Sequence, residues 1–125
     1  MITFDIKNVI DLQNLLIFTT GGSEGVRDLK LLDSATESAF QTFDGQELYP
    51  TIEEKGARLG FNLVSNHAFV DGNKRIGLLV MLTFFEINGV NLKYTDEELI
   101  NLGLSLARGD TKYNSLLEWV ISHKA

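Results

Sequence analysis

Residues 67–75, which read HAFVDGNKR, contain most of the side chains in this chain that could carry out chemistry: a histidine, a carboxylate, a glycine, an amide and two adjacent cations. An imidazole can take a proton from a hydroxyl, a carboxylate can hold magnesium, and adjacent cations can bind phosphate. The apolar segment 76–87 follows at once. A polar loop that carries these groups and leads into a buried helix is suited to the transfer of a phosphate-containing group.

The start of that helix is itself a predicted anion site. Asp71-Gly72-Asn73 is a turn sequence, and the first N–H groups of a helix have no partner within it. Together with the positive end of the helix dipole, these N–H groups attract an anion. Gly72 lets a phosphate approach the backbone closely, and the side chains of Lys74 and Arg75 add two full charges.

His67, Phe69 and Asp71 complete this interpretation. Asp71 suits a phosphate site if it holds a magnesium ion that bridges the phosphates, and His67 is then placed to accept the proton of an incoming hydroxyl. Phe69 is expected to point inward and anchor the loop. His67 ends a predicted helix, where the dipole favours the protonated imidazole, whereas a base must be neutral, so nucleotide binding or a nearby carbonyl is expected to set its protonation.

Each of these residues also has an ordinary structural explanation. Asp-Gly-Asn-Lys is a common way to begin a helix, with Asn73 as the cap and with Lys74 and Arg75 in solvent. A histidine at the end of an apolar stripe is often a packed or capping residue. Under this alternative the loop binds an anion or a partner and catalyses nothing. The convergence of all the groups in one stretch of nine residues favours the catalytic interpretation.

Length and composition indicate one domain that spans residues 1–125. The absence of cysteine excludes disulfides and thiolate metal sites and agrees with a reducing cytosol. The formal charge of -6 argues against a broad nucleic-acid surface, which needs clustered cations. The N-terminus lacks the pattern of a secretory signal, and the apolar block 76–85 is about half as long as a membrane span. We therefore expect a soluble cytoplasmic protein that binds neither nucleic acid nor membrane.

Hydrophobic periodicity predicts an all-α fold, a compact bundle of about six helices with no convincing strand. Capping signals at Asp5, Thr51 and Thr95 mark three helix starts, and the fourth helix, apolar nearly all round, is expected at the centre of the bundle. The second helix is expected to carry an apolar stripe from Leu29 to Phe43, followed by an exposed connection. The predicted helices cover residues 6–18, 28–43, 51–66, 73–88, 95–108 and 111–123.

Other residues receive structural predictions only. Lys55 and Arg58 are expected to be solvated on their helix, and His123 is expected to be exposed near the C-terminus. Leu48 and Tyr49, in the exposed connection, are expected either to help dock a target segment or to pack against the bundle.

HAFVDGNKR resembles the signature of the Fic/Doc superfamily, His-x-Phe-x-Asp/Asn-Gly-Asn-x-Arg, and the resemblance is greatest to its Doc (death-on-curing) toxin branch. Residues 21–28 (GGSEGVRD) and 48–51 (LYPT), together with the short all-helical length, also look like that branch. The resemblance therefore covers most of the chain. It implies a compact helical bundle, in agreement with the periodicity.

The resemblance implies a role for each residue of the signature. His67 would be the general base for a target hydroxyl, and Asp71 would hold Mg²⁺. Lys74 and Arg75 would stabilise the transferred group in catalysis. ATP would be bound by residues spread along the loop: Phe69, Asp71, Gly72, Asn73, Lys74 and Arg75.

Two departures from the AMP-transferring members of the superfamily bear on the reaction. Those members typically carry Gly where this chain has Lys74 and a further Arg where it has Leu78, while Ala68 stands harmlessly where many have Pro. In carrying a lysine at position 74 the chain resembles the Doc branch. That branch is associated with transfer of the γ-phosphate of ATP to a threonine of translation elongation factor Tu. The resemblance thus implies a toxin that blocks translation as a protein Ser/Thr kinase. AMP transfer by the same loop is the alternative.

The resemblance also bears on control of the activity. Thr20-x-x-x-Glu24-Gly25 matches an inhibitory pattern of some relatives, but here it lies in a glycine-rich loop, and the arginine that its Glu would engage is absent. Control by a separate antitoxin protein, as in the Doc branch, is therefore expected instead. Arg27 and Asp28 are expected to close the glycine loop and to cap the second helix.

Overall fold

Short polar signals set the helix starts of this all-α structure. Asp5, Thr51 and Thr95 each accept a hydrogen bond from the backbone N–H three residues ahead, and the side chain at that third position accepts one from the cap residue. These capping boxes confirm three predicted helix starts. The computed structural model describes residues 1–125. Its elements are α1 (Ile6–Thr20), α2 (Leu29–Glu37), a 3₁₀ turn (Ser38–Phe40), β1 (Thr42–Phe43), β2 (Gln46–Glu47), α3 (Ile52–Asn66), α4 (Asn73–Ile87), α5 (Asp96–Arg108) and α6 (Tyr113–Ser122).

Helices α3 and α4 pack against each other at the centre of the bundle, and α4 also contacts α1 and α5. Glycines allow the close approach: a Cβ on Gly77 of α4 would lie 2.5 Å from Cγ2 of Val64 and 3.0 Å from the carbonyl oxygen of Gly60. The central position of α4 was expected from its apolar sequence. Because α3 ends and α4 begins close to this contact, the pair holds the 67–75 loop between two rigid helices.

The second helix is shorter than predicted, and the chain that follows it contains two short strands. α2 ends at Glu37, and β1 pairs with β2 in an antiparallel hairpin. Asp44 and Gly45 both have positive φ, at 53° and 77°, as a two-residue hairpin turn requires. The prediction of an apolar stripe from Leu29 to Phe43 is therefore wrong at both ends, since these side chains are 60% and 76% exposed. The prediction that no strand is present is also wrong.

Lys55 and Arg58 are not the solvated residues that their charges indicated. Lys55 is 1% exposed. Its Nζ lies 3.2 Å from Oε1 of Glu47 and donates to the carbonyl of Tyr49. The guanidinium of Arg58 lies over the rings of Tyr49 and Tyr113, 4.7 and 3.8 Å from their centroids. Both cations attach the segment after the hairpin to α3, and Tyr49 packs against the bundle.

His123 is part of the packing at the C-terminus, which corrects the expectation that it is simply exposed. Its ring stacks on Trp119 with centroids 4.0 Å apart, Nε2 lies 2.5 Å from Oε2 of Glu98, and Nδ1 lies 2.7 Å from the carbonyl oxygen of Trp119. Hydrogen bonds to the Trp119 carbonyl and to Glu98 raise the pKa of His123 above its ordinary value of 6.5. No helix of the structure combines the length and apolar character that crossing a membrane needs.

Candidate active site

The candidate base lies at the junction between α3 and the 67–75 loop. His67 is the C-terminal cap of α3 and has left-handed backbone angles, φ 50° and ψ 44°, a conformation that side-chain-bearing residues adopt rarely and at a cost. Its residue surface is exposed. At the other end of the loop Gly72, also left-handed at φ 78°, precedes α4. The two helix ends lie where the sequence predicted them.

The loop is held from outside by the clamp segment, residues 25–28. The backbone N–H groups of Arg27 and Asp28 both donate to the carbonyl of Ala68, at 2.7 and 3.0 Å. The N–H of Val70 donates to the carbonyl of Gly25 at 3.0 Å. The guanidinium of Arg27 donates to the carbonyl of His67. Asp28 also caps α2, as predicted. The role of Arg27 at the loop was missed, because its partner lies far away in the sequence.

Phe69 and Asn73 hold the loop from inside. Phe69 is 1% exposed and belongs to the main core, so its expected inward orientation is confirmed. Oδ1 of Asn73 accepts the N–H of Phe69 at 3.0 Å, and Nδ2 of Asn73 donates to the carbonyl of Phe69 at 3.1 Å. Asn73 thus ties two points of the loop together. The N-cap of α4 is Gly72, which has no side chain to cap the helix.

Because no side chain caps α4, its first N–H groups are available. The first hydrogen bond at this helix start is donated by Ile76 to Gly72, and the N–H groups of Asn73, Lys74 and Arg75 donate to no protein acceptor. Three unpaired donors at the positive end of a helix are an anion site.

Asp71 lies between this helix start and the glycine segment, residues 21–24. Its Oδ1 accepts the N–H of Gly72 at 2.7 Å, and its Oδ2 accepts the N–H of Ser23 at 3.3 Å. The side chain is 48% exposed. The approach of the glycine segment is close, because a Cβ on Gly22 would lie only 2.6 Å from Oδ2 of Asp71.

The two loop cations have different surroundings. Nη1 of Arg75 donates to Oγ1 of Thr20 at 2.7 Å and to the carbonyl of Gly21 at 3.3 Å, and Nη2 lies 3.8 Å from Asp71. No hydrogen bond or ion pair involves Nζ of Lys74. Its stem lies beside α5, where a Cβ on Gly103 would be 3.5 Å from Cδ of Lys74. Lys74 is therefore the unpaired cation of the loop.

A buried residue of α1 that was not predicted from the sequence supports Asp71. Gln13 is fully buried, and its Nε2 donates to the carbonyl of Asp71 at 3.3 Å, while its Oε1 has no partner. Val9, Gln13 and Ile17 are spaced four residues apart along α1, and all three are buried. A polar side chain on an otherwise apolar stripe was the signal that could have identified it.

All the predicted site residues except Phe69 line one open cavity of about 420 Å³. Phe69 is buried in the core and does not line the cavity. Ala107 of α5 was not anticipated. The lining residues are His67, Val70, Asp71, Gly72, Asn73, Lys74, Arg75 and Ala107.

The donor set fits a magnesium ion that arrives with a nucleotide. No group of three or more His, Cys, Asp or Glu side chains forms a protein-only metal cage. Mg²⁺ in nucleotide sites commonly takes one or two carboxylates and completes its coordination with phosphates and water. Asp71, half-exposed beside an anion site, can supply one such carboxylate.

Comparison with known proteins agrees with the geometry. The Fic/DOC family model matches residues 3–85, which include the whole 67–75 loop. Toxin Doc of Mycolicibacterium smegmatis is 46% identical over 72 residues, which are 58% of this chain and 55% of that toxin. The chain thus matches about half the length of this curated relative. The chain belongs to the Fic/DOC family, and it resembles the Doc branch of that family.

Proposed function

We propose that this protein is a Doc-type toxin of a toxin–antitoxin pair and that it acts as a protein kinase. It transfers the γ-phosphate of ATP to a Ser or Thr hydroxyl of a target protein. Elongation factor Tu is the target we infer, and its modification would block translation. The reaction takes place in the cytoplasm, where this target is found.

The observation that carries the proposal is the composition of the cavity wall. One cavity is lined by His67, by Asp71, by Lys74, whose ammonium is unpaired, and by the open N-terminus of α4. A base, a metal ligand and several anion-binding donors are the groups that phosphoryl transfer needs, because catalysis there consists mainly of positioning and charge stabilisation.

The step is a direct displacement at phosphorus. The target hydroxyl oxygen forms a bond to the γ-phosphorus while the bond from that phosphorus to the β–γ bridging oxygen breaks, and ADP leaves. The hydroxyl proton passes to His67. Lys74, Arg75 and the free N–H groups of α4 stabilise the charge on the transferred group and on the leaving diphosphate. A magnesium ion held by Asp71 would supply further neutralisation of the phosphates when it is bound.

Lys74 is the residue that favours phosphoryl transfer over AMP transfer. Its stem lies beside α5, and its Nζ has no protein partner. The ammonium is therefore free to move and to bind a phosphate within the cavity. A glycine at this position would leave that space to a phosphate of the nucleotide. With the lysine present, the terminal phosphate is the group that lies between the base and the cations.

Control by an antitoxin follows from the same assignment. The relative from M. smegmatis is named a toxin, and a toxin must be restrained by a partner while the cell grows. Glu24 of the inhibitory pattern lies in the loop after α1, is exposed and forms no ion pair. We therefore assign restraint to a separate antitoxin protein.

The position of the isotope on the target tests the reaction. Purified elongation factor Tu is incubated with this protein, magnesium and ATP that carries a label in either the α- or the γ-phosphate. Label from the γ-position on the target supports the kinase, and label from the α-position establishes AMP transfer in its place. If neither label appears on this target or on proteins of a cell extract, neither transfer reaction occurs.

The His67→Ala variant separates catalysis from simple binding. If the loop transfers a group, this variant loses its toxicity in cells although it folds and still binds ATP, because the imidazole makes no hydrogen bond that holds the fold. A non-catalytic binding module would stay toxic after the same change. Retained toxicity would therefore contradict the proposal.

A further inference from the structure

Arg27 makes an unusual contact with the candidate base. Its Nε and Nη2 both donate to the carbonyl oxygen of His67, at 2.8 and 2.5 Å. The two residues are 40 positions apart in the sequence. A guanidinium that places two donors on one carbonyl fixes its direction as well as its distance.

The carbonyl that Arg27 holds belongs to a residue under conformational strain. His67 ends α3 with left-handed backbone angles, φ 50° and ψ 44°, and a carbonyl at the end of a helix has no partner within the helix. The direction of the imidazole depends on these backbone angles, because the side chain starts from the same α-carbon. A contact that fixes the His67 carbonyl therefore also limits where the imidazole can point.

The backbone contacts of the clamp segment hold Arg27 in place beside the loop. The backbone N–H groups of Arg27 and Asp28 both donate to the carbonyl of Ala68, the next residue of the loop. An isolated strand-like bridge pairs Val26 with Phe69. The clamp segment therefore contacts four consecutive residues of the loop, 67–70, and only the contact with His67 is made by a side chain.

We propose that Arg27 is a positioning residue for His67: it fixes the backbone of the candidate base and so aims the imidazole into the cavity. This inference rests on the proposed function. Arg27 itself does not line the cavity, so it acts through His67. Its side chain is exposed, and the competing role, direct binding of a substrate by Arg27, is an outcome of the test.

Kinetics of group transfer give the first readout. Arg27→Ala is expected to lower kcat by about 10- to 100-fold, because misplacing a catalytic group by about 1 Å has effects of this size, while KM for ATP changes less than about 2-fold. Arg27→Lys keeps the charge and one donor and should recover part of kcat. Lys30→Ala, which removes an exposed cation from α2, is the matched control and should behave as the wild type.

Amide hydrogen exchange gives a second readout that does not depend on activity. The N–H groups of Asp28 and Val70 bond across the clamp. Arg27→Ala is expected to speed their exchange by about 10-fold through local opening, whereas amides in the middle of α4, such as that of Val80, keep the wild-type rate.

The combined results separate the possible outcomes. Slower transfer with faster exchange at the clamp supports the proposal. A raised KM with unchanged kcat overturns it in favour of substrate binding, and unchanged kcat overturns it whatever the exchange shows. If the wild-type protein transfers no group at all, the proposed function fails. The exchange measurement then tests the contact of Arg27 by itself. Unchanged exchange in Arg27→Ala overturns the idea that Arg27 holds the loop, whereas faster exchange supports it.

Discussion

At the residue scale, the contact between Gly22 and Asp71 links the glycine segment to the site. Gly21 and Gly22 both have positive φ, at 84° and 118°, but only Gly22 faces a crowded neighbourhood. A Cβ on Gly22 would lie 2.6 Å from Oδ2 of Asp71 and 3.3 Å from Nη2 of Arg75, whereas nothing lies within 4 Å of one on Gly21. Comparing substitutions at Gly21 and Gly22 therefore separates the effect of backbone strain from the effect of displacing Asp71 and Arg75.

We expect Gly21→Ala and Gly22→Ala to lower the free energy of unfolding by similar amounts, about 1 kcal/mol each, because both place an alanine at positive φ. Only Gly22→Ala should also raise KM for magnesium–ATP, by about 10-fold, since Asp71 and Arg75 must move aside. Urea denaturation and steady-state kinetics measure the two effects. An equal rise in KM for both variants would show that the contact with Asp71 is unimportant.

At the element scale, Lys55 joins the hairpin region to α3. The ammonium is buried, but its partner Glu47 is 49% exposed in its side chain. The two ends of this ion pair therefore differ: water can solvate Glu47 when Lys55 is removed, whereas Lys55 keeps a buried charge when Glu47 is removed.

We expect Lys55→Met to cost about 1–2 kcal/mol of unfolding free energy, since it preserves the packing and leaves the Tyr49 carbonyl without its donor. Glu47→Ala should cost more, about 3 kcal/mol, because an uncompensated ammonium stays buried. Arg108→Ala breaks the exposed pair with Asp110 and should change stability by less than about 0.5 kcal/mol. Chemical denaturation of the three variants tests this order, and a larger loss in Lys55→Met than in Glu47→Ala would refute it.

The features that the sequence predicted correctly at this scale are mostly local. The capping boxes at Thr51 and Thr95 depend on residues three positions apart, and a pattern of that length can be recognised in one sequence. The hairpin was missed although Asp44-Gly45 is a typical turn pair, because Phe43 was interpreted as the end of a helical stripe.

The features that the sequence did not predict depend on distant partners. Lys55 is buried because residues of the hairpin region cover it, and Arg27 reaches a residue 40 positions away. Helical periodicity carries no information about either contact. The loop residues themselves were identified from their types and spacing, whereas the contacts that hold them, from Arg27 to His67 and from Gln13 to Asp71, became visible only in three dimensions.

At the scale of the whole molecule, the C-terminus is tied to the body of the protein by a contact that depends on pH. The Trp119 carbonyl and the Glu98 carboxylate only accept hydrogen bonds, so the geometry of His123 requires a proton on both ring nitrogens. Hydrogen bonds to Trp119 and Glu98 raise the pKa of His123, and the hydrogen bond from His123, together with those from Thr95, lowers the pKa of Glu98.

The direction of the pH effect follows from the two shifts. The contribution of His123 is complete below its ordinary pKa of 6.5 and is lost as pH rises through its raised pKa. The contribution of Glu98 is complete above its ordinary pKa of 4.5 and is lost as pH falls through its lowered pKa. The pair therefore stabilises the fold most between pH 4.5 and 6.5.

His123→Phe keeps an aromatic ring on Trp119 and removes the titration. We expect the difference in unfolding free energy between the wild type and this variant to be largest at about pH 5.5 and to shrink as the pH rises to about 9. Thermal or chemical unfolding across this range measures it. A difference that does not depend on pH would show that the ring contributes only by packing.

The central claim is that the 67–75 loop transfers a phosphoryl group from ATP by means of His67. Its most direct test is the intact mass of purified elongation factor Tu after incubation with ATP, magnesium and either the wild-type protein or His67→Ala. We predict a mass increase of one phosphoryl group with the wild type and none with the variant. An increase of one adenylyl group, or the same phosphoryl increase with His67→Ala, would contradict the claim.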